Sequence, residues 1–194
     1  IMENCTVACS QFEKDIEKEI KQLNGSCIDV GAHIGKHTLT MAKTLGNKSR
    51  IISIEPNKTN VALLKDNLRL NRLNNVEVHE VVCSDKNGQV TFYRNEFHPA
   101  SNSMKRSLDS QEVILPSETL DTIAGNIKDL VLIKIDVEGA EDLVLKGASK
   151  LLKNNHPKIL FEAWDKEHLA KVKAVLDKYS YQIKKINEEN YLAH

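Results

Sequence analysis

Four short aliphatic runs, CIDV, RIISIE, LVLIKID and KILFEA, recur along the chain, with stretches of helical apolar spacing between them. Runs this short, bounded by turn residues, read as buried strands rather than helices. Strands that alternate with helical segments build a mostly parallel sheet with helices on both faces. Right-handed crossovers then bring every loop that follows a strand to one edge of that sheet. Ligands bind at that edge, near the point where the strand order reverses. Each of the four runs contains or ends on a carboxylate: Asp29, Glu55, Asp136 and Glu162.

The punctuation between the runs gives the other elements. Ser10-Gln-Phe-Glu13 is a capping box, and Phe12, Ile16, Ile20 and Leu23 follow at helical spacing, so a first helix is predicted to about Gly25. A strand over roughly 26–30 leads to a helix from about 35 that carries Leu39, Ala42 and Leu45 and stops at Gly46-Asn47. After the strand over 50–55, Pro56-Asn57 opens a helix with Val61, Leu64 and Leu68 on one face. A third strand is predicted over 76–82, and Lys86-Asn87-Gly88 turns the chain into an extra strand over 89–93. Residues 94–118 show no periodicity, contain Pro99 and Pro116, and read as a long loop, either solvated or closing over a ligand. Beyond the run over 130–136, GAEDLVLKG and ASKLLKNN give two short helices, and Asp165 caps a helix with Leu169, Val172 and Leu176. YQIKKI and NYLAH close the chain as an antiparallel hairpin. The organisation expected is an N-terminal helical extension over 1–25 and one α/β domain over 26–194.

Composition narrows the function classes. Lys+Arg and Asp+Glu number 27 each in 194 residues, a balance that argues against bulk capture of nucleic acid or an anionic membrane. No apolar run approaches the length of a membrane span, and the N-terminal residues do not resemble a signal peptide. Cys27 and Cys83 fall in predicted strands, and Cys5 and Cys9 lack the second ligand pair that a zinc site needs. A reducing, cytoplasmic setting is expected. The first residue is Ile, which reads as a piece of a longer polypeptide; fusion to glycosyltransferase-type domains would fit that reading.

The loop Asp29-Val-Gly31-Ala-His33-Ile-Gly35 decides the ligand class. A dinucleotide fingerprint needs a second glycine where His33 stands. A phosphate loop needs Ser or Thr where His37 follows Gly35-Lys36. A phosphate-free ligand fits better, and S-adenosylmethionine needs what this region offers. Gly31 and Gly35 permit close backbone approach. Asp29 is suited to the amino-acid end, and Glu55 to both ribose hydroxyls. Ser84 and Asp85 follow the third strand, where an adenine amino group would lie; Asp85 is equally suited to a plain turn.

The sequence resembles the FkbM family of S-adenosylmethionine-dependent methyltransferases. The stretches that carry the resemblance are CIDVGAHIGKHTLTMA, IISIEPN, VVCSDKNGQVTFY, SETLD, LIKIDVEGAEDLVLKGA and ILFEAW, over about residues 26–164. It implies a class I, Rossmann-like doubly wound domain with a mostly parallel seven-stranded sheet. It also implies methylation of hydroxyl groups on sugars, glycolipids or polyketide-type products. His33 departs from the Asn more usual there; both can hydrogen-bond the cofactor's carboxylate.

Asp136 ends the run LVLIKID with Glu138 two residues on, and Glu162 stands near the end of the next run, KILFEA. Methyl transfer to a hydroxyl is an in-line displacement that needs a base within reach of the hydroxyl proton. Asp136 and Glu138 are candidates for base or orienting group, Asp136 also for cofactor contact, and Glu162 can complete the acidic cluster. The trio can alternatively hold Mg²⁺ or Mn²⁺, which prefer oxygen ligands, or Asp136 and Glu138 can cap the next helix. Lys134 can neutralise part of the charge. His37 and His98 read as exposed residues, Trp164 as a sugar platform or as half-buried packing, and Lys105-Arg106 as a weak anion contact. The expected cofactor set is therefore Asp29, Gly31, His33, Gly35, Glu55, Pro56, Ser84, Asp85 and Asp136, and the acceptor a sugar or glycoconjugate. The rival readings are an NAD(P)-dependent oxidoreductase, a non-catalytic S-adenosylmethionine-binding module and, more weakly, a nucleic-acid methyltransferase.

Overall fold

The computed structural model describes residues 20, 21, 23–94, 104 and 111–194. The elements in chain order are β1 (Ser26–Val30), α1 (Lys36–Leu45), β2 (Ile51–Ile54), α2 (Lys58–Leu70), β3 (Val76–His79), β4 (Val82–Cys83), β5 (Gly88–Arg94) and β6 (Gln111–Glu118). There follow α3 (Leu120–Ala124), β7 (Leu130–Ile135), α4 (Glu141–Lys146), α5 (Ser149–Asn155), β8 (Lys158–Glu162), α6 (Lys166–Leu176), β9 (Ile183–Lys185) and β10 (Asn190–Ala193). The predicted first helix lies almost wholly outside the described residues; Ile20 is helical and fully buried against Cys27 and Met41. Cys5, Cys9, His98 and Lys105-Arg106 also lie outside them.

Seven strands form the main sheet in the order β3-β2-β1-β7-β8-β10-β9. Pairing is parallel from β3 through β8, and β10 runs antiparallel to both β8 and β9. The order reverses between β1 and β7, so their C-terminal ends flank the crevice expected of a doubly wound sheet. Helix starts follow the sequence signals. Asn57 Oδ1 accepts from the N–H groups of Thr59 (2.9 Å) and Asn60 (3.4 Å), and Asp165 Oδ1 accepts from His168 N (2.7 Å). Such caps stabilise a helix by about 1 kcal/mol each.

Two predictions need correction. The third strand does not run unbroken over 76–82. It leaves the main sheet after His79, and Val82 and Cys83 pair instead with Ser117 and Glu118 in a second sheet of order β4-β6-β5. Nor is all of 94–118 a loop: Gln111–Glu118 is a strand antiparallel to β5, with Gly88 opposite Ser117 and Arg94 opposite Gln111. Pro116 hid it. Proline is tolerated there because the two-residue β4 stops at Ser117 and leaves β6 an open edge at Pro116.

Alternation along the central strands sorts the side chains into two faces. Ile28, Val30, Ile52, Ile54, Ile133, Ile135, Ile159 and Phe161 join the larger core, which packs α3, α4, α5 and α6. Cys27, Ile51, Leu132 and Leu160 face the other way, towards α1. On that second face three polar residues stand side by side, with Asp29 paired in register to Ser53 on one side and to Lys134 on the other. This register puts a buried charge network directly under the loop that follows β1. Among the described residues no helix is long and apolar enough to cross a membrane.

Candidate active site

The loop after β1 turns through three positive φ angles, at Gly31 (77°), His33 (52°) and Gly35 (95°). Its N–H groups at Gly31 and Ala32 donate to Ile54 O (3.0 and 3.1 Å), and Asp136 N donates to Val30 O (3.0 Å). A Cβ on Gly31 would lie 1.8 Å from Asp136 O, and one on Gly35 would lie 2.2 Å from Leu64 Cδ1. Both glycines are thus demanded by the close approach of protein to protein. For Gly35 this corrects the expectation of a ligand contact, since the residue is buried against α2. His33 occupies a left-handed position that Asn and His tolerate better than most residues, and its exposed side chain lines the cavity.

Glu55, one residue beyond β2, is 6 % exposed and accepts three hydrogen bonds. Its Oε2 accepts from His33 N (2.9 Å), and its Oε1 accepts from Asn57 N (3.0 Å) and Asn60 Nδ2 (3.2 Å). A carboxylate offers about four acceptor sites, so roughly one is left for a ligand hydroxyl rather than two for a pair. The same hydrogen bonds tie the β1 loop to the start of α2.

Asp29 is fully buried. Its Oδ2 accepts from Thr38 Oγ1 (2.6 Å), and Lys134 Nζ stands 3.5 Å from its Oδ1. Lys134 also pairs with Asp136 Oδ2 (3.2 Å) and donates to Gly31 O (3.4 Å). Burial alone would lower the Lys134 pKa, but Asp29 and Asp136 outweigh it and hold the ammonium above the ordinary lysine value. Lys134 is therefore a fixed cation and not a base. Asp29 supports the floor of the site through that cation, and of the two routes open to it towards the amino-acid end of a ligand, direct or through water, its full burial favours the indirect one.

These elements enclose a cavity of about 270 Å³, near the small end of ligand pockets, roughly 300–1,000 Å³. One wall is apolar, formed by Val81, Val82, Cys83, Phe92 and Met104. The polar part of the lining comprises His33, Lys36, His37, Glu55, Asp136 and Glu138 among others. Burial, with Lys134 nearby, lowers the His37 imidazole to about 4, so it is neutral at pH 7. Ser84 and Asp85 do not reach the cavity. Because β4 has joined the second sheet, Ser84 is buried with its N–H on Glu118 O (3.0 Å), and Asp85 faces solvent.

The acids after β7 and β8 differ in setting. Asp136 is tied to Lys134. Glu138 has φ 58°, unusual for a residue with a side chain of this size, and lines the cavity. Burial pushes its carboxyl up to about 7, with the charges of Asp136, Glu162 and Glu141 adding and Lys134 opposing. Glu162 is raised for the same first reason, burial, and then by Asp136, but it does not line the cavity. Among the described residues no three His, Cys, Asp or Glu side chains gather closely enough to hold a metal ion. Asp136, Glu138 and Glu162 thus form an electrostatic cluster and do not fit Mg²⁺ or Mn²⁺ as a preformed ligand set.

A family model, the methyltransferase FkbM domain, matches residues 29–183. The chain belongs to the FkbM methyltransferase family. "Methyltransferase 1" of Beauveria bassiana (strain ARSEF 2860) is 27 % identical over 145 aligned positions, covering 62 % of this chain and 57 % of that protein. The crystal structure of methyltransferase FkbM from Methylobacillus flagellatus KT superposes with a TM-score of 0.62 at 20 % identity, over 88 % of this chain and 44 % of that one. Precorrin-6y C5,15-methyltransferase from Geobacter metallireducens GS-15 gives 0.59 at 16 % identity, over 95 % and 88 %. The two structural likenesses speak for the fold alone. The chain spans about half the length of the first two relatives.

S-adenosylmethionine is the cofactor of this fold and family, and the FkbM chain's cavity suits its parts. The apolar wall suits a base, the remaining acceptor on Glu55 a ribose hydroxyl, and the acids beyond β7 a cationic sulfur. Of the residues expected from sequence, Gly31, His33, Glu55, Pro56, Asp136 and Glu138 line the cavity together, whereas Asp29, Gly35, Ser84, Asp85 and Glu162 stand outside it. Sequence reasoning assigned no site role to Lys36, His37 or Asn60, which also line it. Lys36 and His37 carried a usable signal, being the first helical turn after the glycine loop.

Proposed function

We propose that this domain transfers a methyl group from S-adenosylmethionine to a hydroxyl of a sugar in a glycan or glycoconjugate. The observation that carries this reading is the Glu138 carboxyl, held at the cavity with its pKa raised to about 7. Bound S-adenosylmethionine supplies an electrophilic methyl group on a cationic sulfur. A hydroxyl oxygen is a poor nucleophile until its proton is taken, and a base with a pKa near the working pH does this best. Glu138 takes that proton, and Asp136, fixed by Lys134, orients the acceptor and favours the cationic sulfur. Gly31, His33, Glu55 and Pro56 hold the donor. Burial and then Asp136 keep the Glu138 pKa high, and the charge of Glu162 adds to them. The sugar preference rests on membership of the FkbM family, and the even charge balance supports an acceptor other than nucleic acid.

Incubation with methyl-labelled S-adenosylmethionine and a saccharide panel, with and without EDTA, tests the reading. O-methylated sugar should form at the same rate in both arms. Label on nitrogen, or on none of the sugars, would overturn it; a rate abolished by EDTA would replace the carboxylate base with a metal.

A further inference from the structure

We propose that Glu141 and His168, both outside the cavity, are positioning residues that hold the turn carrying Glu138 in place. This rests on the function proposed above. The turn between β7 and α4 has two successive positive φ angles, 58° at Glu138 and 93° at Gly139. A left-handed conformation is unfavourable for a residue such as Glu and persists only where the surroundings over-determine it. Here one buried carboxylate bridges the turn. Glu141 Oε1 accepts from Val137 N (3.0 Å) and Gly139 N (3.3 Å), the N–H groups of the residues before and after Glu138. Its other oxygen, Oε2, faces His168 Nε2 at 2.5 Å.

Glu141 is 0 % exposed and His168 3 %. His168 is itself fixed: its backbone N–H donates to Asp165 Oδ1 (2.7 Å), and Trp164 meets its ring edge-on at 5.7 Å between centroids. Burying a carboxylate and an imidazole between α4 and α6 is a poor way to stabilise that contact. Well-packed apolar residues do as well or better. What an apolar pair cannot do is bind two N–H groups that flank one side chain. The charged groups that face Glu138 come from each neighbouring element: Asp136 and Lys134 from β7 and its end, Glu162 from β8 and Glu141 from α4. Glu141 therefore acts on Glu138 twice, through the backbone it grips and through its charge.

Two substitutions separate these effects from a merely structural role. Glu141→Ala removes both, while Glu141→Gln keeps an oxygen for the two N–H groups and removes the charge. Three readouts are needed: the titration of Glu138 by carboxyl ¹³C NMR, the S-adenosylmethionine affinity by calorimetry, and kcat/KM on the responding saccharide against pH. In Glu141→Gln the Glu138 midpoint and the acid limb of kcat/KM should both move to lower pH, with turnover above the limb retained. In Glu141→Ala, kcat/KM should fall by more than about 10²-fold through misplacement of the base, with donor affinity unchanged. An unmoved Glu138 midpoint in Glu141→Gln would overturn the proposal, and that variant decides even where Glu141→Ala fails to fold. Donor affinity falling in step with turnover would overturn it as well. A shifted midpoint in a protein that methylates no hydroxyl would leave the positioning role standing and remove the proposed function instead.

Discussion

Glu55 and Glu138 are both glutamates at the C-terminal edge of one sheet and line one cavity, yet their surroundings have little in common. Glu55 is held by three N–H donors from His33, Asn57 and Asn60 and sits on a backbone that β1, β2 and α2 fix from three sides. Glu138 sits on a left-handed turn among other acids, and its carboxyl is pushed up to about 7. Three donors on one carboxylate fix its position and make it a rigid piece of binding surface. Burying another, with like charges close by, makes it willing to take a proton. In the proposed function the first serves to hold the methyl donor and the second to take a proton from the acceptor.

If that contrast is right, substitutions around the two glutamates should fail in different ways. The largest effect belongs to Gly31→Ala: with φ 77° and a Cβ 1.8 Å from Asp136 O, the variant should lose on the order of 4 kcal/mol or more in denaturant unfolding. Next comes Glu138→Gln, which should cut methyl-transfer turnover by about 10²–10⁴-fold while donor binding measured by calorimetry holds. Glu55→Ala should show the reverse pattern. Donor affinity falls first, and stability drops by about 1–3 kcal/mol because the Asn60 amide and two peptide N–H groups lose their acceptor. The smallest effect is on stability against pH. The folded state binds the Glu138 proton more tightly than the unfolded chain, so wild-type stability falls as pH rises from 4.5 to about 7. Glu138→Gln removes that loss, and by pH 8 it should gain about 1–2 kcal/mol over wild type relative to the difference at pH 4, allowing for half-burial. Thermal melts across this range check it.

The centre of the main sheet was legible because β1, β2, β7 and β8 are short, mostly apolar runs set between turn signals. The strand over 26–30, the caps at Asn57 and Asp165 and the closing hairpin all stand where the local pattern puts them. β6 was not legible, because its alternation is weak, with Ile114 67 % exposed and a proline at 116. The acids at strand ends could be found, but not which of them reach the cavity. Asp29 and Lys134 pair across two strands far apart in sequence, and only the register shows that each consumes the other. Ser84 and Asp85 were misplaced for a similar reason, since no local signal tells that residues 82–83 change sheets. His37 read as an idle surface residue because most of the charged groups that act on it, Lys134, Asp29 and Asp136, lie far from it in sequence or on other elements.

The pH dependence of O-methyl transfer by wild type and Glu138→Gln, measured side by side with labelled S-adenosylmethionine, bears most directly on this account. The wild-type rate should rise through a single limb near pH 7, and the variant should lose both the limb and most of the rate. A wild-type rate flat across that range, or a variant that keeps the same limb at full rate, would contradict the role of Glu138 as base.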